Sequence, residues 1–118
     1  MKHAVVFVDH KEARIYFPDG TSAEPEGRVL SKHKKEHDGH RPPLDKEAAD
    51  ALCTRVKDVE EILLVGPGSA KHELNTWIAE HHPDVSRRIV GVETVDHPTA
   101  GELKNLALKS FRRIDAFR

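Results

Sequence analysis

The sequence predicts a mixed α/β fold: an N-terminal antiparallel meander followed by βαβα, forming one sheet flanked by helices. Three observations carry that expectation. Val5-Val6-Phe7-Val8 and Ile62-Leu63-Leu64-Val65 are short unbroken apolar runs, the pattern of strands covered on both faces. Residues 12–17 alternate, with Ala13, Ile15 and Phe17 on one side and Arg14 and Tyr16 on the other, as in a half-buried antiparallel strand. From residue 45 the apolar period lengthens to that of helices, interrupted only by strand-like runs.

Each element follows from local chemistry. The first strand stops at Asp9, and Asp9-His10-Lys11 turns the chain into the second. Asp19-Gly20 is a hairpin signal. A third strand over about residues 22–30 contains Pro25 and Gly27, which suit an edge or a bulge better than a central position. Asp45 is placed to cap a helix whose Ala48, Ala49, Leu52 and Val56 share one face. The strand at 62–65 ends in Gly66-Pro67-Gly68. Ser69 is then expected to cap a second helix carrying Leu74, Trp77, Ile78 and His81 on one stripe and closed by Pro83. Residues 88–94 form the last strand. Thr99-Ala100-Gly101-Glu102 reads as a capping box, opening a helix with Leu103, Leu106, Ala107, Phe111 and Ile114 at helical spacing. A strand–helix–strand unit with buried strands implies parallel pairing through a right-handed crossover.

A chain of 118 residues suits one domain, residues 1–118, with enough core to fold without staples. With 37% hydrophobic and 33% charged residues, it resembles neither a disordered tail nor a membrane protein. No apolar run approaches the ~20 residues that span a bilayer. The short run after Met1-Lys2-His3 does not make a signal peptide. Cys53, the single cysteine, has no intramolecular disulfide partner, so the cytoplasm is the expected compartment.

The net charge of −1 means that any grip on polyanions must come from a local patch. Such a patch exists at 31–44, SKHKKEHDGHRPPL, the longest irregular stretch. There Lys32, Lys34, Lys35 and Arg41 outnumber Glu36 and Asp38, accompanied by His33, His37 and His40. Lysine and arginine neutralise phosphates and release counterions, and a loop can follow an RNA groove. The plainer reading is a solvated surface loop. The histidines add charge as pH drops toward ~6.5. Their spacing also suits metal ligation on a helix, but the flanking lysines repel a divalent ion and Gly39 with Pro42-Pro43 opposes a helix, so no metal is expected there.

Three further features invite functional readings. Gly66, Gly68, Ser69 and Lys71 form a glycine turn before a helix, a possible anion site, although the Walker spacing is missing and a tight strand-to-helix turn is the plainer reading. Asp9, Glu93 and Asp96 lie at strand ends and would make a metal-dependent nuclease centre if they converged. Asp9 is more simply a turn residue. Trp77 and Cys53 are expected in the core.

Four stretches in order resemble the middle domain of the archaeal and eukaryotic class-1 peptide-chain release factors and their Pelota relatives. They are Val8-Asp9-His10-Lys11-Glu12-Ala13, Ser31-Lys32-His33-Lys34-Lys35, Leu63 through Lys71, and Gly91-Val92 through Thr99-Ala100-Gly101-Glu102-Leu103. The resemblance runs over about residues 4–111 and implies an RNase H-like fold in a stand-alone, bacterial-type protein of the translational machinery. It departs from the family at the hydrolytic Gly-Gly-Gln: Glu36, His37 and Asp38 stand there, and the chain contains no glutamine. Two glycines that let backbone enter a crowded centre, and a glutamine that positions water, have no counterpart. Peptidyl-tRNA hydrolysis is therefore not expected. What the resemblance implies instead is a non-hydrolytic protein without cofactor that binds the ribosome or ribosomal RNA. Lys32, His33, Lys34, Lys35, His37, His40 and Arg41 would be its contacts. The alternatives are a nuclease centred on Asp9 and Asp96, and a protein-interaction module using the sheet edge near Pro25.

Overall fold

A computed structural model describes residues 2–18, 27–30 and 46–116. Along the chain run β1 (His3–Val8), β2 (Glu12–Tyr16), β3 (Gly27–Leu30), α1 (Lys46–Arg55), β4 (Glu61–Gly66), α2 (Ala70–His81), α3 (Pro83–Ser86), β5 (Ile89–Thr94) and α4 (Ala100–Ala116). They build one five-stranded sheet in the order β3-β2-β1-β4-β5. β1 pairs antiparallel with β2 and parallel with β4, β2 pairs antiparallel with β3, and β4 pairs parallel with β5. This is the mixed α/β architecture that the sequence predicts. β3 lies at the edge, the position that Pro25 and Gly27 suggest for the predicted third strand; Asp19-Gly20, Pro25 and the capping position Asp45 lie outside the described residues.

The strand period of two sorts side chains into a core on each face of the sheet. Ala4, Val6 and Val8 of β1 join Ile62 and Leu64 of β4 beneath α1 and α2, which supply Leu52, Cys53, Leu74 and Ile78. Val5, Phe7, Leu63 and Val65 face the other way, against Leu103, Ala107 and Phe111 of α4. Two covered faces explain the unbroken apolar runs of β1 and β4. β2 departs from its expected half-buried pattern for the same reason. Tyr16 is buried in the α4-side core and the Arg14 guanidinium lies 5.1 Å from the centroid of the Phe7 ring, while Ala13 and Ile15 join the α1-side core, so both sides of that strand are covered.

The helix ends show which capping signals hold. Thr99 Oγ1 accepts the Glu102 N–H at 3.1 Å, and Glu102 Oε1 accepts the Thr99 N–H at 2.9 Å, the reciprocal pair that the sequence indicates for α4. Ser69 does not cap α2 with its side chain: its backbone is already helical, with φ −80° and ψ −12°, whereas a capping hydroxyl needs the extended conformation. Pro83 does end α2 but also opens α3, because a proline at the first helical position gives up only an N–H that would lack an intrahelical partner. Trp77 packs partly buried against the α1-side core and stacks on His81 with ring centroids 4.4 Å apart. Cys53 is buried, and its thiol is pushed up to about 12, chiefly by desolvation and further by Asp50 and Asp84 against the opposing pull of Arg88.

Arg88 carries a structural role that no periodicity shows. Its Nη1 donates to the carbonyl oxygens of Val56 at 3.2 Å, Lys57 at 2.6 Å and Val59 at 2.5 Å, and its Nε donates to Asp84 at 3.2 Å. A guanidinium thus gathers carbonyls just past the end of α1, where helix acceptors lack intrahelical donors and the dipole favours a cation. Arg88→Ala is expected to lower stability by about 2–3 kcal/mol, the range of a charge-assisted hydrogen-bond group. A urea midpoint unmoved by the substitution would refute this role.

Candidate functional site

β1, β4 and β5 run parallel, so Val8, Gly66 and Thr94 end at one edge of the sheet, the edge at which open α/β sheets bind ligands. β2 begins there and β3 finishes there, since Glu12 pairs with Leu30. Three sequence-indicated features can be placed at this edge. Asp9 Oδ1 accepts the backbone N–H groups of Lys11 at 2.8 Å and Glu12 at 3.0 Å, so its carboxylate builds the β1–β2 turn. Glu93 Oε2 accepts hydrogen bonds from Ser110 Oγ at 3.1 Å and Arg113 Nη2 at 3.4 Å, while Asp96 is exposed. Among the described residues, Asp9, Glu93 and Asp96 do not assemble into a cluster of ligand atoms within 4.8 Å of one another.

The glycine turn is held by contacts of its own. A Cβ on Gly66 would lie 2.2 Å from the carbonyl oxygen of Val8, so this position must be glycine for β4 to pass β1; Gly68 has nothing within 4 Å of such an atom. Lys71 is buried, and its Nζ donates to the Gly68 carbonyl oxygen at 2.6 Å, folding the lysine back over the turn. The Ser69 carbonyl accepts the His72 and Glu73 N–H groups at 3.0 Å each. Gly66, Gly68, Ser69 and Lys71 therefore come together as a braced strand-to-helix turn. The predicted RNA contacts Lys32, His33, Lys34, Lys35, His37, His40 and Arg41 lie outside the described residues. The stretch that carries them joins Leu30, at this same edge, to Lys46 at the start of α1.

A second cluster stands at the opposite edge, where the parallel strands begin. His3 pairs in register with Glu61, and the Lys2 carbonyl accepts the N–H groups of Glu60 and Glu61 at 3.0 Å each. His3 Nε2 lies 3.1 Å from Glu61 Oε1 and 3.4 Å from Asp115 Oδ2 near the end of α4. The Glu61 side chain is only 5% exposed, that of His3 17% and that of Asp115 34%. Phe111, one helical turn before Asp115, holds the imidazole at a ring distance of 4.3 Å. A hydrogen bond with Glu61 holds the Asp115 carboxyl below its ordinary range; desolvation opposes this, and the His3 hydrogen bond, with the charges of Lys2 and His3, adds to it. Sequence reading passes over these three residues because they belong to three distant elements. The one available signal is that a polar residue opens each of two otherwise apolar central strands, His3 before Ala4-Val5 and Glu61 before Ile62-Leu63.

No helix among the described residues is long and apolar enough to cross a membrane. No family model matches the sequence, and no curated protein matches it. Solved structures do. The Pelota protein of Thermoplasma acidophilum superposes with a TM-score of 0.61 at 20% identity, over 86% of this chain and 30% of that one. Archaeoglobus fulgidus Pelota superposes with a TM-score of 0.59 at 15% identity, over 98% of this chain and 32% of its own. The chain thus shares its fold with about a third of each Pelota chain.

Proposed function

We propose that this is a translation-related protein of the cytoplasm that binds ribosomal RNA without hydrolysing peptidyl-tRNA, through the cationic stretch at 31–44. One observation carries the reading. Four lysine and arginine residues, Lys32, Lys34, Lys35 and Arg41, cluster with three histidines in a segment leaving the ligand-binding edge of a Pelota-like fold. The mechanism is electrostatic: each phosphate neutralised releases counterions, so ~3–5 contacts would give a salt slope of roughly −0.7 per contact on single-stranded RNA. The absence of Gly-Gly-Gln supports binding without hydrolysis.

In a sucrose gradient at low salt, the wild-type chain is expected to sediment with ribosomes, and a Lys32/Lys34/Lys35→Ala variant to remain largely at the top. Raising the salt should release the wild type. A wild-type protein that never leaves the top fraction, or a variant that sediments equally well, would remove the proposal.

A further inference from the structure

We propose that His3, Glu61 and Asp115 form a binding site for one divalent transition-metal ion, clasping the end of α4 to the first residues of β1 and β4. This proposal does not depend on RNA binding, and the site lies at the opposite edge of the sheet from Leu30.

Geometry is the first support. One ligand atom from each of the three side chains falls within 4.8 Å of the others. Around an ion with bonds of about 2.0–2.1 Å to nitrogen and oxygen, neighbouring tetrahedral ligands stand roughly 3.3 Å apart. The observed separations from His3 Nε2, 3.1 Å and 3.4 Å, already bracket that edge length. Little rearrangement is needed.

Charge is the second. Two carboxylates face one imidazole, so even a protonated His3 leaves one negative charge in excess within the triad. The Glu61 carboxyl is almost wholly buried, where an ionised group needs close partners. Glu61 and Asp115 each offer a carboxylate oxygen within 4.8 Å of the other, and like charges that close disfavour joint ionisation. A divalent ion in that place would neutralise both carboxylates. The positive charge of Lys2 also acts on Asp115.

Preorganisation is the third. His3 and Glu61 are fixed by the parallel register of β1 and β4, and the imidazole is braced by Phe111. One nitrogen and two carboxylate oxygens suit zinc, cobalt or manganese rather than a soft copper(I) site, and three protein ligands leave a further position for water.

Metal-stripped full-length protein titrated with zinc by calorimetry is expected to bind one ion per chain, and cobalt(II) should give the visible absorption of a tetrahedral site. Asp115→Asn and His3→Gln should each weaken zinc binding roughly 100-fold, the upper end of what outer-sphere changes alone produce. Asp115→Asn keeps size and shape at a partly exposed helix end, and circular dichroism checks that it folds. A His33/His37/His40→Ala variant should bind zinc as the wild type does. Failure of the wild type to bind zinc, cobalt or manganese would overturn the site. So would unchanged affinity in a folded Asp115→Asn protein, or loss of binding in the histidine triple variant alone.

Discussion

Gly66→Ala is expected to destabilise the protein by about 3 kcal/mol, the upper end for overpacking and among the largest effects of any single substitution here. The added methyl carbon would sit 2.2 Å from the Val8 carbonyl oxygen, a backbone atom of the central strand that no rotamer change can move. Gly66 is also held on its other side, where it pairs with Thr94 and its carbonyl accepts the Val95 N–H at 3.0 Å. Relief therefore requires β1 and β4 to part, exposing core on both faces. Gly68→Ala is the matched comparison, because a methyl there meets nothing within 4 Å. Urea unfolding of the pair should separate them clearly. Equal midpoints would show that the approach of β4 to Val8 is looser than described.

The second large effect is expected at Phe111. Truncation to alanine should cost about 3–5 kcal/mol, the range for removing a buried aromatic side chain. Phe111 is 2% exposed and packs with Leu103 and Ala107 against β1 and β4, so its loss leaves a cavity under the only helix that covers this face among the described residues. It also removes the ring against which the His3 imidazole rests, tilted, at 4.3 Å. Phe111→Leu refills most of the volume and should recover much of the stability. A Phe111→Ala loss below ~1 kcal/mol would mean that α4 contributes far less to the core than its burial indicates.

How much of this was legible beforehand depends on how local each signal is. The strands announced themselves because two covered faces require unbroken apolar runs, as at Val5–Val8 and Ile62–Val65. The capping box at Thr99 and Glu102 was legible because both partners lie within one turn. The turn role of Asp9 follows from chemistry that any Asx turn shares. Ser69 misled, since residue type alone does not fix the backbone conformation that capping needs. Tyr16 looked solvent-facing because its strand was read without the helix that would later cover it. Arg88 and the His3–Glu61–Asp115 triad were illegible for a different reason. Their partners lie far along the chain, and only the strand register and the reach of α4 unite them. The RNA contacts proposed at 31–44 lie outside the described residues, so their support remains the charge pattern itself.

The position of β1 has a consequence for biogenesis. It is the middle strand of the sheet, yet its two neighbours emerge at very different times: Tyr16 follows Val5 closely, whereas Leu63 arrives only after β2, β3 and α1 have been synthesised. Loop length itself adds little to the final free energy, only about 0.6 kcal/mol per doubling, but distant pairings slow the search for the native state. Until Glu61–Gly66 leaves the exit tunnel, the nascent meander presents an unsatisfied hydrogen-bonding margin beside a ribbon of valines, the kind of surface that recruits chaperones or foreign strands. Slower translation through codons for residues 31–60 would prolong that exposed interval.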